Sequence, residues 1–145
     1  MFLLQNRERK GTNFRLKYIS LRTINICTLV NSETMERLNI LWTTDNKDTI
    51  FNMLSMYASN SLKNNWWDEV NVIIWGASSK LVGNDTQVQT EVLEMIAKGV
   101  KIEACKACSD SFGVSGVLIK LGINVKYMGQ PLTDYLKAGE KILTI

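Results

Sequence analysis

The sequence predicts an α/β domain, a three-layer α/β/α sandwich around a mostly parallel five-stranded sheet. Two observations carry this. From Leu38 onward, short apolar runs alternate with segments whose apolar residues recur every three or four positions. One of those runs, Val70-Asn71-Val72-Ile73-Ile74-Trp75, is nearly continuous in the way of a strand buried on both faces. Strands separated by helices fold as a parallel sheet covered by its crossovers.

The elements follow in order. Leu38 to Trp42 is the first strand. Thr43, Thr44 and Asp45 follow it, and Thr44 or Asp45 can cap a helix with Ile50, Met53, Leu54, Tyr57, Ala58 and Leu62 inward. Trp66-Trp67-Asp68 leads into the second strand, Val70 to Trp75, with the aromatic pair at the core edge or at a subunit contact. Gly76 to Ser79 is a turn and Lys80 to Asn84 a connector. Asp85 caps a helix with Val88, Val92, Leu93, Ile96 and Ala97 inward, which Gly99 ends. Val100 to Ala104 is the third strand. Ser109 or Asp110 caps a helix bearing Phe112, Val117, Leu118 and Leu121, in which Gly113 and Gly116 allow close packing; Gly122 ends it. Ile123 to Met128 is the fourth strand. Gly129-Gln130-Pro131 turns into a short helix with Leu132, Tyr135 and Leu136 inward, ended by Gly139, and Glu140 to Ile145 is the fifth strand. The outline is flavodoxin-like. Right-handed crossovers place Thr43 to Asp45, Gly76 to Ser79, Cys105 to Ser109 and Met128 to Gln130 on one edge of the sheet.

Residues 1–35 lack this alternation. They read as an N-terminal extension or a misassigned start, with an extra strand or hairpin as the alternative, and residues 36–145 as the domain. A chain starting at Met35 is therefore expected to melt as cooperatively as the whole. A large loss of thermal stability in that truncation would show that the segment packs on the core.

Composition narrows the chemistry. The chain has 145 residues and a net charge of +3, too weak a surplus to argue for nucleic acid. No apolar run approaches the ~20 residues of a membrane span. There is no histidine, which removes Cys-His, Ser-His and His-metal mechanisms within one chain. Three cysteines, Cys27, Cys105 and Cys108, with no export signal point to a reducing cytoplasm. Cys27 receives no role. A single Cys-x-x-Cys pair does not complete a zinc site, so neither metal nor cofactor is expected.

The thiols of Cys105-Lys106-Ala107-Cys108 lie where the third strand feeds a helix. Open α/β sheets place their chemistry at such ends. Free N–H groups there favour a thiolate and should bring at least one thiol below the ~8.5 of a free cysteine. Lys106 would add to this if it pointed inward. The bland alternative is two small buried apolar residues. Around the pair, Thr43, Asp45, Gly76, Ser78, Ser109 and Gly129 are the candidate pocket-lining residues. Gly76 to Ser79 could hold an anion through backbone N–H groups, although it lacks the dinucleotide-binding and Walker patterns and also reads as a plain turn.

Residues 37–145 resemble the DsrE/DsrF family, whose members include the sulfur-relay proteins of the Tus complex. The resemblance rests on element order, on Trp75-Gly76 after the second strand, and on Ala104-Cys105 ending the third. It rests also on Cys105 followed eight residues later by Gly113-Val114, and on the closing run Leu121 to Gly129, Leu132 and Gly139 to Thr144. By this resemblance Cys105 corresponds to the persulfide-bearing cysteine, homo-oligomers are expected with Trp66, Trp67 and Met128 as contact area, and partners would be sulfur-donor or acceptor proteins. Two departures stand out: Phe112 occupies a position where the relay members often have Arg, and Cys108 is an additional thiol that could resolve a persulfide into a disulfide. The reading is a cytoplasmic sulfur carrier or sulfurtransferase-like protein using Cys105 with Cys108 assisting. Its alternatives are a non-catalytic oligomeric subunit or small-ligand binding module, and a dithiol redox protein.

Overall fold

A computed structural model describes residues 35–145. The reading of the first 34 positions, Cys27 included, lies outside the described residues. The elements are β1 (Arg37–Trp42), a helix α1 built from Lys47–Thr49, a π-helical stretch Ile50–Leu54 and Ser55–Lys63, then β2 (Glu69–Ile74), α2 (Ala77–Asn84) and α3 (Thr86–Ala97). They continue with β3 (Lys101–Cys105), α4 (Lys106–Ser111), α5 (Ser115–Lys120), β4 (Asn124–Lys126), α6 (Gly129–Lys137) and β5 (Lys141–Thr144).

The five strands form one sheet in the order β4-β3-β2-β1-β5, parallel at every pairing. This differs from the flavodoxin order, in which β2 lies outside β1. Here β1 to β4 progress in one direction and the chain then returns across the sheet to set β5 on the other side of β1. A right-handed crossover in the reverse direction must run over the opposite face. That is why α6 lies apart from the other helices.

The main core fills the first face. Ile40 and Trp42 of β1, Val70, Val72 and Ile74 of β2, and Ile102 and Ala104 of β3 meet Ile50, Leu54, Ala58, Val82, Val88, Val92, Met95 and Leu118 from the helices. On the second face Ile73, Cys105 and Met128 form a smaller cluster with Leu41, Trp75, Cys108, Leu132 and Tyr135. Below it the strands present polar side chains. Asn71 Nδ2 donates to Asn39 Oδ1 at 3.0 Å, and Asn39 Nδ2 donates to Glu140 Oε2 at 2.7 Å. Asn39 and Asn71 are both buried. These bonds pair both amide nitrogens, while Asn71 Oδ1 is buried without a partner among the described residues.

Several expectations are corrected. Asn46, not Thr44 or Asp45, caps α1, its side chain accepting from Thr49 N at 2.9 Å. The wider π turn sets inward positions four apart, at Ile50, Leu54 and Ala58, and leaves Met53 outside. The turn and connector over residues 76–84 are in fact Gly76 followed by helix α2. The helix expected after Ser109 starts at Lys106 and breaks in two. Gly113, at φ 69°, closes α4 with bonds from its own N to Asp110 O and from Val114 N to Ser109 O. Phe112 is left 42% exposed, and Val117 is exposed as well. Neither Gly113 nor Gly116 has a neighbour near its missing Cβ; the close approach occurs at Gly83. Gly129 belongs to α6, not to a turn before it. Leu93, Ala97 and Leu136 face outward, and Met95 takes the inward place on α3. Met128 is fully buried, so it offers no contact area for a second subunit, whereas Trp66 is 55% exposed. No helix among the described residues is long and apolar enough to cross a membrane.

Asp85 does cap α3, accepting from Gln87 N at 3.0 Å and Val88 N at 3.1 Å, and it also pairs with Lys47 at 2.8 Å. The Lys47 hydrogen bond, with the backbone N–H of Val88, holds its carboxyl below the usual carboxylate range. A carboxyl lowered in the folded state contributes stability above its unfolded value of about 3.9 and loses it as pH falls through the folded value. Asp85→Ala is therefore expected to lower the melting temperature by a few degrees at pH 7 and by less once pH has fallen through the folded value. Asp85→Asn should retain most of the cap. Melts of both variants across pH check this, and an equal loss at every pH would count against the ionic part.

Candidate active site

Side chains alternate along β3. Ile102 and Ala104 enter the main core, while Glu103 and Cys105 face the second side. Cys105 keeps extended geometry (φ −69°, ψ 111°) as the residue before α4, so strand end and helix start meet at the thiol. Ser109 is buried, and its hydroxyl donates to Cys105 O at 2.9 Å, fixing that junction.

Both thiols are free and belong to the same apolar cluster. Cys105 is only 4% exposed, and Cys108 is half-buried. Cys108 packs on the cluster that holds Cys105, and the Gly76 backbone N–H beside it favours the Cys108 thiolate. Gly76 sits at φ 72°, ψ −128°, a conformation open to glycine alone at little cost, and this aims its N–H. The expected acidification does not occur at Cys108. Burial pushes this thiol up, the neighbouring Cys105 adds to the rise, and the Gly76 N–H only partly offsets both.

Lys106 does not point toward the sulfurs. Its ammonium pairs with Asp110 Oδ2 at 2.5 Å and lies 5.6 Å from the centre of the Tyr127 ring. The Asp110 hydrogen bond raises the lysine, and Asp110 itself is lowered by Lys106 and by the Ser115 hydroxyl at 2.5 Å.

The predicted lining residues divide. Gly76 and Ser109 join the thiols. Ser78 is buried and ties strand ends: its hydroxyl accepts from Trp75 N at 3.0 Å and donates to Trp42 O at 2.7 Å. Thr43 is held by Ile145, whose carbonyl accepts from Thr43 N at 2.7 Å and from its Oγ1 at 2.8 Å. Asp45 is exposed beside the Asn46 cap, and Gly129 begins α6. A groove of about 350 Å³ lies elsewhere, along α1 between Met53, Met56, Trp66 and Leu143, and contains none of these residues.

Sequence reasoning missed the polar groups beneath Cys105. Glu103 accepts from Lys126 Nζ at 2.5 Å, from Tyr135 Oη at 3.2 Å and from Asn71 Nδ2 at 3.5 Å. Burial and the Glu103 carboxylate push the Tyr135 hydroxyl up, keeping it a neutral donor. The available signal was the alternation Arg37/Asn39, Glu69/Asn71, Lys101/Glu103 and Asn124/Lys126.

Chemically, the site offers two adjacent sulfurs and one backbone donor. Such a pair can form a disulfide, or one sulfur can hold a further sulfur atom.

Neither a family model nor a curated protein matches the sequence. Among solved structures, the ychN protein from E. coli has 16% identity over 77% of this chain and 100% of its own, with a TM-score of 0.54, a likeness of fold alone. BT1422, a conserved protein of unknown function from Bacteroides thetaiotaomicron, is 61% identical over 79% of this chain and 99% of its own, with a TM-score of 0.77. The chain therefore belongs to the family of BT1422.

Proposed function

We propose that this protein is a DsrE/DsrF-type sulfur carrier, cytoplasmic and homo-oligomeric, that holds sulfane sulfur as a persulfide on Cys105 with Cys108 assisting. The observation that carries the reading is the packing of both thiols in one apolar cluster where β3 ends and α4 begins. The order of elements and the Cys105 to Gly113-Val114 spacing support the same kinship. The fold by itself does not decide the activity.

The chemistry balances with a persulfide donor. The Cys105 thiolate attacks the outer sulfur of R–S–SH, the donor S–S bond breaks, R–S⁻ leaves, and Cys105 carries the –SSH group. An acceptor thiolate attacking that outer sulfur regenerates Cys105. In the competing release step the Cys108 thiolate attacks the inner Cys105 sulfur and expels hydrosulfide. The resulting disulfide then needs a two-electron thiol reductant to reset. Because Cys108 is raised, it is mostly protonated at neutral pH, which slows this release and favours carriage.

The paired thiols also suit a dithiol redox protein. Intact mass after incubation with a small-molecule persulfide separates the two. The carrier gains one sulfur atom that a reductant removes, whereas the redox protein loses two hydrogens and gains no sulfur. Absence of any sulfur adduct on the folded protein would end the carrier reading.

A further inference from the structure

Under the carrier reading, an incoming sulfur must reach Cys105, yet Cys105 is only 4% exposed. Its burial comes from the small cluster on the second face. The cover there includes Met128 from the segment before α6, and Leu132 and Tyr135 from α6 itself. Met128 is fully buried and acts as an anchor. The helix that follows is held far less firmly. None of its residues is fully buried, and Leu136 is 61% exposed. It begins at Gly129, whose missing side chain meets nothing, and it is followed by Gly139 in a left-handed turn at φ 72°. Among the described residues, the side-chain hydrogen bond from α6 to the sheet is Tyr135 Oη to Glu103 Oε2. Glu103 is itself fixed by Lys126 and Asn71, so the acceptor is rigid while the donor sits on the weaker element.

We propose that α6 is a movable cover over Cys105, with the Tyr135–Glu103 hydrogen bond as its latch and the glycines at its two ends as hinges. The proposal rests on the assignment of Cys105 as the sulfur-bearing residue, and it assigns to Tyr135 control of access, not a part in the chemistry. Tyr135 remains a neutral donor throughout the physiological range, because burial and Glu103 raise its hydroxyl. The latch therefore does not open by titration of the phenol. A docking partner that displaces α6, or that competes for the Glu103 carboxylate, would expose the thiol at the moment of transfer.

The test is alkylation of the full chain by iodoacetamide, with the label assigned by peptide mass mapping. Lys106 separates the two thiols into different tryptic peptides. Removal of a hydrogen bond to a charged acceptor shifts a local opening equilibrium by roughly tenfold. Tyr135→Phe should therefore raise the Cys105 alkylation rate by roughly that factor. Amide exchange should quicken in α6 while β1 to β3 stay protected. Leu132→Ala should act in the same direction through lost apolar contact. An unchanged Cys105 rate in Tyr135→Phe overturns the proposal, and so does faster exchange spread equally over α6 and the central strands. Alkylation reads access without reference to sulfur. A protein that shows this pattern but loads no persulfide keeps its cover and loses the carrier function, whereas one that loads persulfide with no effect of Tyr135→Phe keeps the function and has no latch.

Discussion

Replacing Gly83 by alanine is expected to destabilise the domain by about 2 kcal/mol, a fall in melting temperature of roughly 10 °C. The sign is opposite to the usual one, since alanine in a helix interior is normally better than glycine by up to about 1 kcal/mol. Gly83 lies in the last turn of α2, where that helix passes the entry to α5. A Cβ built there falls 2.3 Å from Val114 Cγ1 and 2.4 Å from Val114 Cβ. Val114 is buried at 4% exposure, and its Cβ cannot swing away as the tip of a long side chain would. Either α2 or the residue 114 junction must move, and both lie against the core. Val114→Ala removes both methyls, keeps the Cβ and leaves a cavity, so it should cost stability by itself while relieving only the methyl part of the clash. Combined with Gly83→Ala the two losses should fall short of their sum by more than ~0.5 kcal/mol. Denaturant melts of the four proteins measure this directly. A neutral or stabilising Gly83→Ala would show that α2 is not pinned there.

The same pair shows what sequence patterns can and cannot carry. Strand identity was legible because β1, β2 and β3 are buried on the main face and keep their apolar runs. Asp85 was legible as a cap, and Gly99 and Gly122 as stops, because these roles depend on local chemistry alone. Gly83 was not, because the need for a missing side chain arises from Val114, 31 positions away in the chain. Nor was α2, since Ala77 to Asn84 has only Ser78, Ser79 and Val82 fully buried and two of those are polar. The π stretch of α1 turned Met53 outward against a regular helical spacing. Cys105 was placed correctly at the strand end, whereas Cys108 lies inside α4 and not ahead of its cap. The electrostatics of the pair were not legible, because the burial that raises Cys108 comes from packing in the cluster of Ile73, Cys105 and Met128, which draws on distant parts of the chain. Lys106 likewise found Asp110 four residues on, an ordinary helical ion pair.

Cys105→Ser is expected to abolish persulfide loading, the largest functional effect of any single change. A serine hydroxyl accepts no sulfane sulfur, and Cys108 in its place has a raised thiol with few thiolates at pH 7. Cys108→Ser should still load. Its persulfide should also outlive that of the parent, because the sulfur that attacks Cys105 and expels hydrosulfide is gone. The difference between parent and Cys108→Ser should widen with pH. Raising pH toward the elevated Cys108 value increases its thiolate and so accelerates release in the parent only, while at pH 6 the two lifetimes should converge. Gly76→Ala gives a third reading of the same contact. Alanine is strained at φ 72°, and any relaxation turns the N–H away from the Cys108 sulfur. The thiolate then loses its backbone donor, and release should slow further. Donor-loaded intact mass followed over time at several pH values measures the parent and all three variants. If Cys105→Ser loads as fully as the parent, the sulfur sits on Cys108 and the assignment is reversed. If lifetimes in Cys108→Ser and the parent agree at every pH, Cys108 takes no part in release and its contact with Cys105 is packing alone.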